Sequence, residues 1–199
     1  MKYAASDDES TVLPNLLRLT SRTAVAQAET EGFLLAEESL LEELREDQVF
    51  DTAYILEIHR RALGRVYAFT GRYRSVNLSK GGFTFPAAQY LPQSMAQLER
   101  DLLHALPHAW PDAATLACDV ARVHAELLFI HPFREGNGRT ARVLANLMAY
   151  KNGSASFHWE KLAEPERFEA YVLAVQAAGR LDYKPMEAVI AGVLPIAQL

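Results

Sequence analysis

The run His131-Pro132-Phe133-Arg134-Glu135-Gly136-Asn137-Gly138-Arg139-Thr140-Ala141-Arg142 gathers a base, a carboxylate, a glycine-flanked asparagine and several guanidinium groups into one short stretch of chain. Polyphosphate chemistry needs these groups. His131 alone in the run titrates near neutral pH, which makes it the candidate general base. Glu135 is the lone carboxylate, and one carboxylate beside phosphate oxygens and water is a common way to hold Mg²⁺. Gly136 and Gly138 lack a Cβ, so with Asn137 between them the main chain can come close to a phosphate. Arg139 and Arg142, three residues apart on a helix, share a face and can reach one polyphosphate with forked, charge-assisted bonds.

The elements around the run would place it well. Upstream, Val120, Val123, Leu127 and Ile130 recur at helical spacing, and downstream Val143, Leu144, Leu147 and Met148 do the same. The run therefore joins two helices and opens the second, where unpaired N–H groups and the helix dipole favour anions. Earlier in the chain Ser21 is expected to cap a helix over 21–45, with Val25, Ala28, Leu34, Leu35 and Leu41 as its apolar positions. Asp51 is expected to cap the next, facing inward with Tyr54, Ile55, Ile58 and Leu63. The helical period fails between Gly71 and Phe85, where alternation about Gly81-Gly82 predicts a short hairpin. Helices are expected again near 87–105, 111–130, 139–152, 165–178 and 184–194, with Pro111 and Pro165 at first helical positions. The acidic, polar residues 1–10 read as disordered. The expectation is one domain over 1–199, its core at about 52–195: an all-α bundle with one β-hairpin.

The run resembles the signature of the Fic (filamentation induced by cAMP) family, H-P-F-x-(D/E)-G-N-G-R-x-x-R, and meets every specified position. A match of that length carries little risk of chance. The resemblance implies a helical Fic bundle and protein adenylylation, the transfer of AMP from ATP to a Tyr, Thr or Ser hydroxyl of a target protein. Carried over by position, His131 would deprotonate the hydroxyl and Glu135 would hold Mg²⁺. Gly136, Asn137 and Gly138 would cradle the phosphates, Arg139 would face the β-phosphate and Arg142 the γ-phosphate, and Phe133 would anchor the loop. The related Doc-like kinases carry Lys where this chain has Gly138, which speaks against phosphorylation. A nucleotide-binding regulator without catalysis would not need His131.

Tyr67-Ala68-Phe69-Thr70-Gly71-Arg72-Tyr73-Arg74 is similar to the family segment that leads into a hairpin called the flap, and Ser79-Lys80-Gly81-Gly82-Phe83 resembles the flap itself. In the family the flap docks a target segment by strand addition, a mode that reads main chain. Lys80, Gly81, Gly82 and Phe83 are the residues so implied.

Many Fic proteins restrain themselves with a helix bearing Ser/Thr-x-x-x-Glu-Gly/Asn, whose Glu pairs with the second motif arginine. Here Glu31-Gly32 has that ending, but Gln27 stands where Ser or Thr is expected. The expectation is a toxin-like protein restrained by a separate small antitoxin that supplies the helix in trans; the rival is a degenerate restraint through Glu31.

Composition narrows the partners. A formal net charge of −5 over 199 residues argues against a nucleic-acid-binding surface. No apolar run is long enough to span a membrane, and no cleavable leader is evident. Cys118 is the single cysteine, so no internal disulfide can form and a reducing, cytoplasmic setting is expected. His59, His104, His108, His124 and His158 have no metal-ligand spacing and are read as structural or surface residues.

Overall fold

The computed structural model describes residues 12–195, so the expectation for residues 1–10 lies outside them. Among the described residues seven α-helices and one hairpin form the chain: α1 Arg22–Glu42, α2 Thr52–Leu63, β1 Ser79–Lys80, β2 Phe83–Thr84, α3 Leu91–Asp101, α4 Ala113–Ile130, α5 Asn137–Lys151, α6 Pro165–Ala178 and α7 Lys184–Val193. The all-α bundle with a hairpin is what is found. Ser21 caps α1 and Asp51 caps α2, each accepting from a backbone N–H three residues on.

α4 and α5 are buried nearly all round and make the centre of the core. α1 and α2 pack on one side of α5, while α6 and α7 cover α4. The polar run lies between α4 and α5. Any chemistry it performs is therefore held by two deeply buried helices.

Three expectations need correction. The buried face of α1 is Val25, Glu29, Phe33, Ala36 and Leu40, whereas Leu34, Leu35 and Leu41 are exposed. The charged Glu29 lies on the inner stripe, and that hides the stripe from a hydrophobicity reading. The stretch 87–105 is a 3₁₀ turn (Ala88–Tyr90), then α3, then a second 3₁₀ turn (Leu103–Ala105). Pro92, with no N–H to donate, fits only the first turn and delays the start of α3. Pro111 precedes α4 instead of opening it, because the Asp112 carboxylate accepts from the Thr115 N–H at 2.7 Å and takes the capping position.

Candidate active site

α4 ends on His131, whose φ of 52° and ψ of 58° put it in the left-handed region. A helix stops at such a residue, and the strain of a non-glycine there costs on the order of 1 kcal/mol. Phe133 then plunges into the core, fully buried, and stacks on His59 with ring centroids 3.8 Å apart. The Asn137 side chain closes the loop: its Oδ1 accepts from the Phe133 N–H at 2.8 Å and its Nδ2 donates to the Phe133 carbonyl at 2.7 Å. The Asn137 amide thus braces the loop, which leaves the backbone N–H of Asn137 for the phosphate role expected of it.

Gly136 caps α5 at a φ of 79°, and a Cβ there would stand 2.8 Å from Leu63 Cδ1. Only glycine meets both conditions. α5 thereby starts at Asn137, two residues earlier than its apolar pattern shows. The first intrahelical bond runs from the Thr140 N–H to the Gly136 carbonyl, so the N–H groups of Asn137, Gly138 and Arg139 precede it without intrahelical partners. They form the anion-seeking end expected of this loop.

His59 fixes the far side of the loop. Its Nδ1 accepts from the Gly71 N–H at 2.9 Å, so Nε2 carries the proton and donates to the Glu135 carbonyl at 3.1 Å. Burial pushes its pKa down to about 4, which keeps the ring neutral.

His131 is set with equal care. Its Nδ1 lies 3.2 Å from the Leu128 carbonyl, which assigns the proton to Nδ1 and leaves the lone pair on Nε2. Burial lowers its pKa to about 4, the Leu128 carbonyl opposes the shift, and Arg74 and Lys80 add to it. Phe85, just past β2, stacks on the imidazole at 3.9 Å. Arg74, buried to 5% exposure, ties the site together: its guanidinium donates to the carbonyls of His131, Val76 and Pro86 at 2.8, 2.7 and 2.6 Å. Val76 and Pro86 are the two feet of the hairpin. One side chain thus joins the base to the flap.

The two motif arginines have opposite surroundings. Arg139 Nη2 donates to Glu29 Oε2 at 2.7 Å and to Glu135 Oε1 at 3.2 Å, and its guanidinium sits 4.9 Å from the Phe33 ring centroid. It does not line the cleft. Glu29 also accepts from the Tyr67 hydroxyl at 2.5 Å, and burial together with that bond raises the tyrosine pKa. Arg142 lines the cleft and has no carboxylate partner among the described residues. Glu31 is exposed. Two residues along a helix turn the side chain through about 200°. The carboxylate that α1 brings to the loop is therefore Glu29, and it meets Arg139 instead of Arg142.

The cleft holds about 430 Å³ and runs between His131, the start of α5, the flap and α6. Its far wall is apolar, with Leu78, Phe83, Val172 and Val175. The flap pairs Ser79 with Thr84 and Lys80 with Phe83 around the Gly81-Gly82 turn, where both glycines have positive φ. Lys80, Gly81 and Phe83 line the cleft, Gly82 does not, and Gly81 and Gly82 are exposed. Glu135 engages its backbone neighbour Gly136 N–H at 2.7 Å through Oε1, and its side chain is 41% exposed.

The sequence model of the Fic/DOC family matches residues 49–149, from just before α2 almost to the end of α5. The chain belongs to the Fic/DOC family. The protein adenylyltransferase fic-1 of Caenorhabditis briggsae is 38% identical over 104 residues, 50% of this chain and 19% of that protein. The protein adenylyltransferase VbhT of Bartonella schoenbuchensis is 29% identical over 183 residues, 86% of this chain and 36% of that protein. This chain thus spans only 19% to 36% of the length of these relatives. The N-terminal FIC domain of Bep8 from Bartonella sp. 1-1C superposes with a TM-score of 0.75 at 18% identity, covering 94% of each chain. BepC of Bartonella tribocorum, solved with bound AMPPNP, gives 0.72 at 18% identity, covering 98% of this chain and 96% of its own. At such identities the likeness is one of fold.

Within this Fic domain, the spacing of motif residues pointed to His131, Glu135 and the glycines; the flap resemblance took in Tyr67 and Arg74 without giving either a role, and Phe85 and Glu29 gave no such signal. Each lies far from the run in sequence. A buried arginine among carbonyls, or a glutamate on an inner helix face, has a partner only once the chain is folded.

Proposed function

We propose that this chain transfers AMP from ATP to a hydroxyl of a target protein, releasing pyrophosphate. The observation that carries the reading is the neutral His131 imidazole, its basic Nε2 left open on a cleft that meets the N-terminus of α5. In the reaction the target hydroxyl oxygen bonds to the α-phosphorus, the bond from that phosphorus to the bridging oxygen of pyrophosphate breaks, and the hydroxyl proton passes to Nε2. The phosphates would rest on the N–H groups at the start of α5, with Gly138 giving close approach and Arg142 taking the terminal phosphate. The AMPPNP bound to BepC supports ATP as the donor. Arg139 would reach the phosphates with the N–H groups that Glu29 and Glu135 leave open.

Glu135 fits a Mg²⁺ ligand: it is one partly exposed carboxylate beside the anion site, and no cluster of three or more ligating side chains exists among the described residues to compete for the ion. When bound, the ion would neutralise phosphate charge. The flap would take the target by strand addition to its short edge, with Lys80, Gly81 and Phe83 facing the cleft.

The same reading includes restraint by a separate small antitoxin whose helix brings a carboxylate to Arg142. Its support is that Arg142 lacks an acidic partner among the described residues and that Glu31 is exposed. The cytoplasmic setting belongs to this proposal too. No helix of the described residues is long and apolar enough to cross a membrane.

Incubation in cell lysate with α-labelled or γ-labelled ATP tests the reaction. AMP transfer moves only the α-label into protein; transfer of the γ-label would instead mark a kinase, and neither label a regulator. A mass-spectrometric search of the same lysate for AMP-bearing peptides would name the target.

A further inference from the structure

Arg142 is held by rings. Its guanidinium carbon lies 5.9 Å from the Trp159 ring centroid and 6.0 Å from that of Tyr171. No carboxylate among the described residues pairs with it, and its buried Nε has no hydrogen-bond partner. The contrast with Arg139 is chemical. A carboxylate holds a guanidinium by its N–H edge and uses up the donors a phosphate would need, as Glu29 does to Arg139. An aromatic face holds the guanidinium through its π-cloud and leaves those donors open.

The two rings are themselves pinned by their polar ends. Tyr171, on α6, lies with its hydroxyl 2.7 Å from Nε2 of the buried His124, and the same hydroxyl also accepts from the Arg142 side chain. The other nitrogen of that ring, Nδ1, stands 3.3 Å from the Ala141 carbonyl, so Nδ1 bears the proton and Nε2 accepts from the phenol. His124 also stacks on Trp159, with centroids 5.1 Å apart and planes 12° from parallel. The Trp159 Nε1–H donates to Asn146 Oδ1 at 2.9 Å, and Asn146 Nδ2 donates on to Glu37 at 2.7 Å. Five elements, α1, α4, α5, the 3₁₀ segment Trp159–Ala163 and α6, contribute to this arrangement of two rings around one arginine.

We infer that Trp159 and Tyr171 are positioning residues that hold Arg142 by its faces without a carboxylate, leaving its remaining donors open to the terminal phosphate of the nucleotide, and that His124 sets the tyrosine. The inference rests on the proposed role of Arg142 as the group that binds that phosphate.

The test is the ratio of ATP to ADP affinity, measured by calorimetry on the whole chain. Trp159→Leu and Tyr171→Leu keep an apolar side chain and remove the π-face. Each should weaken ATP on the order of tenfold, with ADP and AMP nearly unchanged, so that the ratio collapses. Tyr171→Phe keeps the face and should retain most of the ratio. Arg142→Ala is the control. If it leaves the ratio unchanged, the role given to Arg142 fails; if it collapses the ratio while the folded leucine variants do not, the inference about the rings is overturned. In the Arg142→Ala background, Tyr171→Leu should have no further effect on the ratio. Should the leucine variants not fold, Trp159 emission in a Trp110→Phe protein gives the answer. ATP should change that emission and AMP should not, and an emission unmoved by bound ATP would overturn the inference.

Discussion

The Glu29 carboxylate meets the Arg139 guanidinium at 2.7 Å across 110 residues of chain, and it draws one motif arginine away from the cleft that the other lines. Glu29→Gln removes a full negative charge next to a polyanion site and keeps a side chain of the same size. ATP binding is expected to tighten about 3–10-fold at low salt, with the gain shrinking as ionic strength rises. Folding stability should fall by about 1–3 kcal/mol, because Tyr67 and Arg139 share this buried acceptor. Calorimetry and urea titration read both. Weaker ATP binding would mean that Glu29 serves as a brace for Arg139. Glu31→Gly, on the exposed face, should change neither quantity.

His131→Ala should reduce AMP transfer by about 10²–10⁴-fold while leaving ATP affinity nearly intact. A base must be neutral to act. With its pKa lowered to about 4 by burial, kcat/KM should hold steady above about pH 5 and decline as pH falls through 4. A profile that instead fell near pH 6.5 would show the imidazole to be solvated in the working enzyme.

The two loop glycines should separate folding from binding. Gly136→Ala puts a Cβ against Leu63 and Phe33 at a positive φ, so it should lower the Tm or block folding. Gly138→Ala meets nothing within 4 Å in the protein itself. It should leave the Tm unchanged and still cost ATP affinity, since the added methyl occupies the approach of the phosphates. Wild-type ATP binding in Gly138→Ala would place the phosphates elsewhere.

Arg74→Ala strips the donor that joins the His131, Val76 and Pro86 carbonyls, and should destabilise the fold by about 3 kcal/mol or more. Arg74→Lys keeps the charge without the planar fork, so it should recover part of the stability and little of the transfer rate. Equal recovery of both would reduce Arg74 to a buried charge with no hold on the base.

Buried histidines should make stability depend on acid. The pKa values of His59 and His124 are pushed below the ordinary 6.5, to about 4 and about 3, by burial. The unfolded chain then binds more protons than the folded one below pH 6.5. Their contribution is complete above that pH and is lost as pH falls toward 4 and 3, at about 1.4 kcal/mol per unit for each. Denaturant midpoints between pH 7 and 4 measure the slope, and His59→Asn should flatten it. An unchanged slope would assign the acid sensitivity to other groups.

Local patterns in the sequence determined the helices with strong caps, the hairpin at Gly81-Gly82 and the run from His131 to Arg142. All of these depend on residues near one another along the chain. Tertiary structure alone decided which face of α1 turns inward, because Glu29 is an acceptable buried residue only when Tyr67 and Arg139 reach it. It likewise decided that the Asn137 side chain braces the loop, that Arg74 ties the flap to the base, and that Arg142 lies beside rings from the 3₁₀ segment Trp159–Ala163 and from α6. Those pairings join residues distant in sequence, and the hydrogen bonds and ring contacts that define them exist only after packing has brought their elements together.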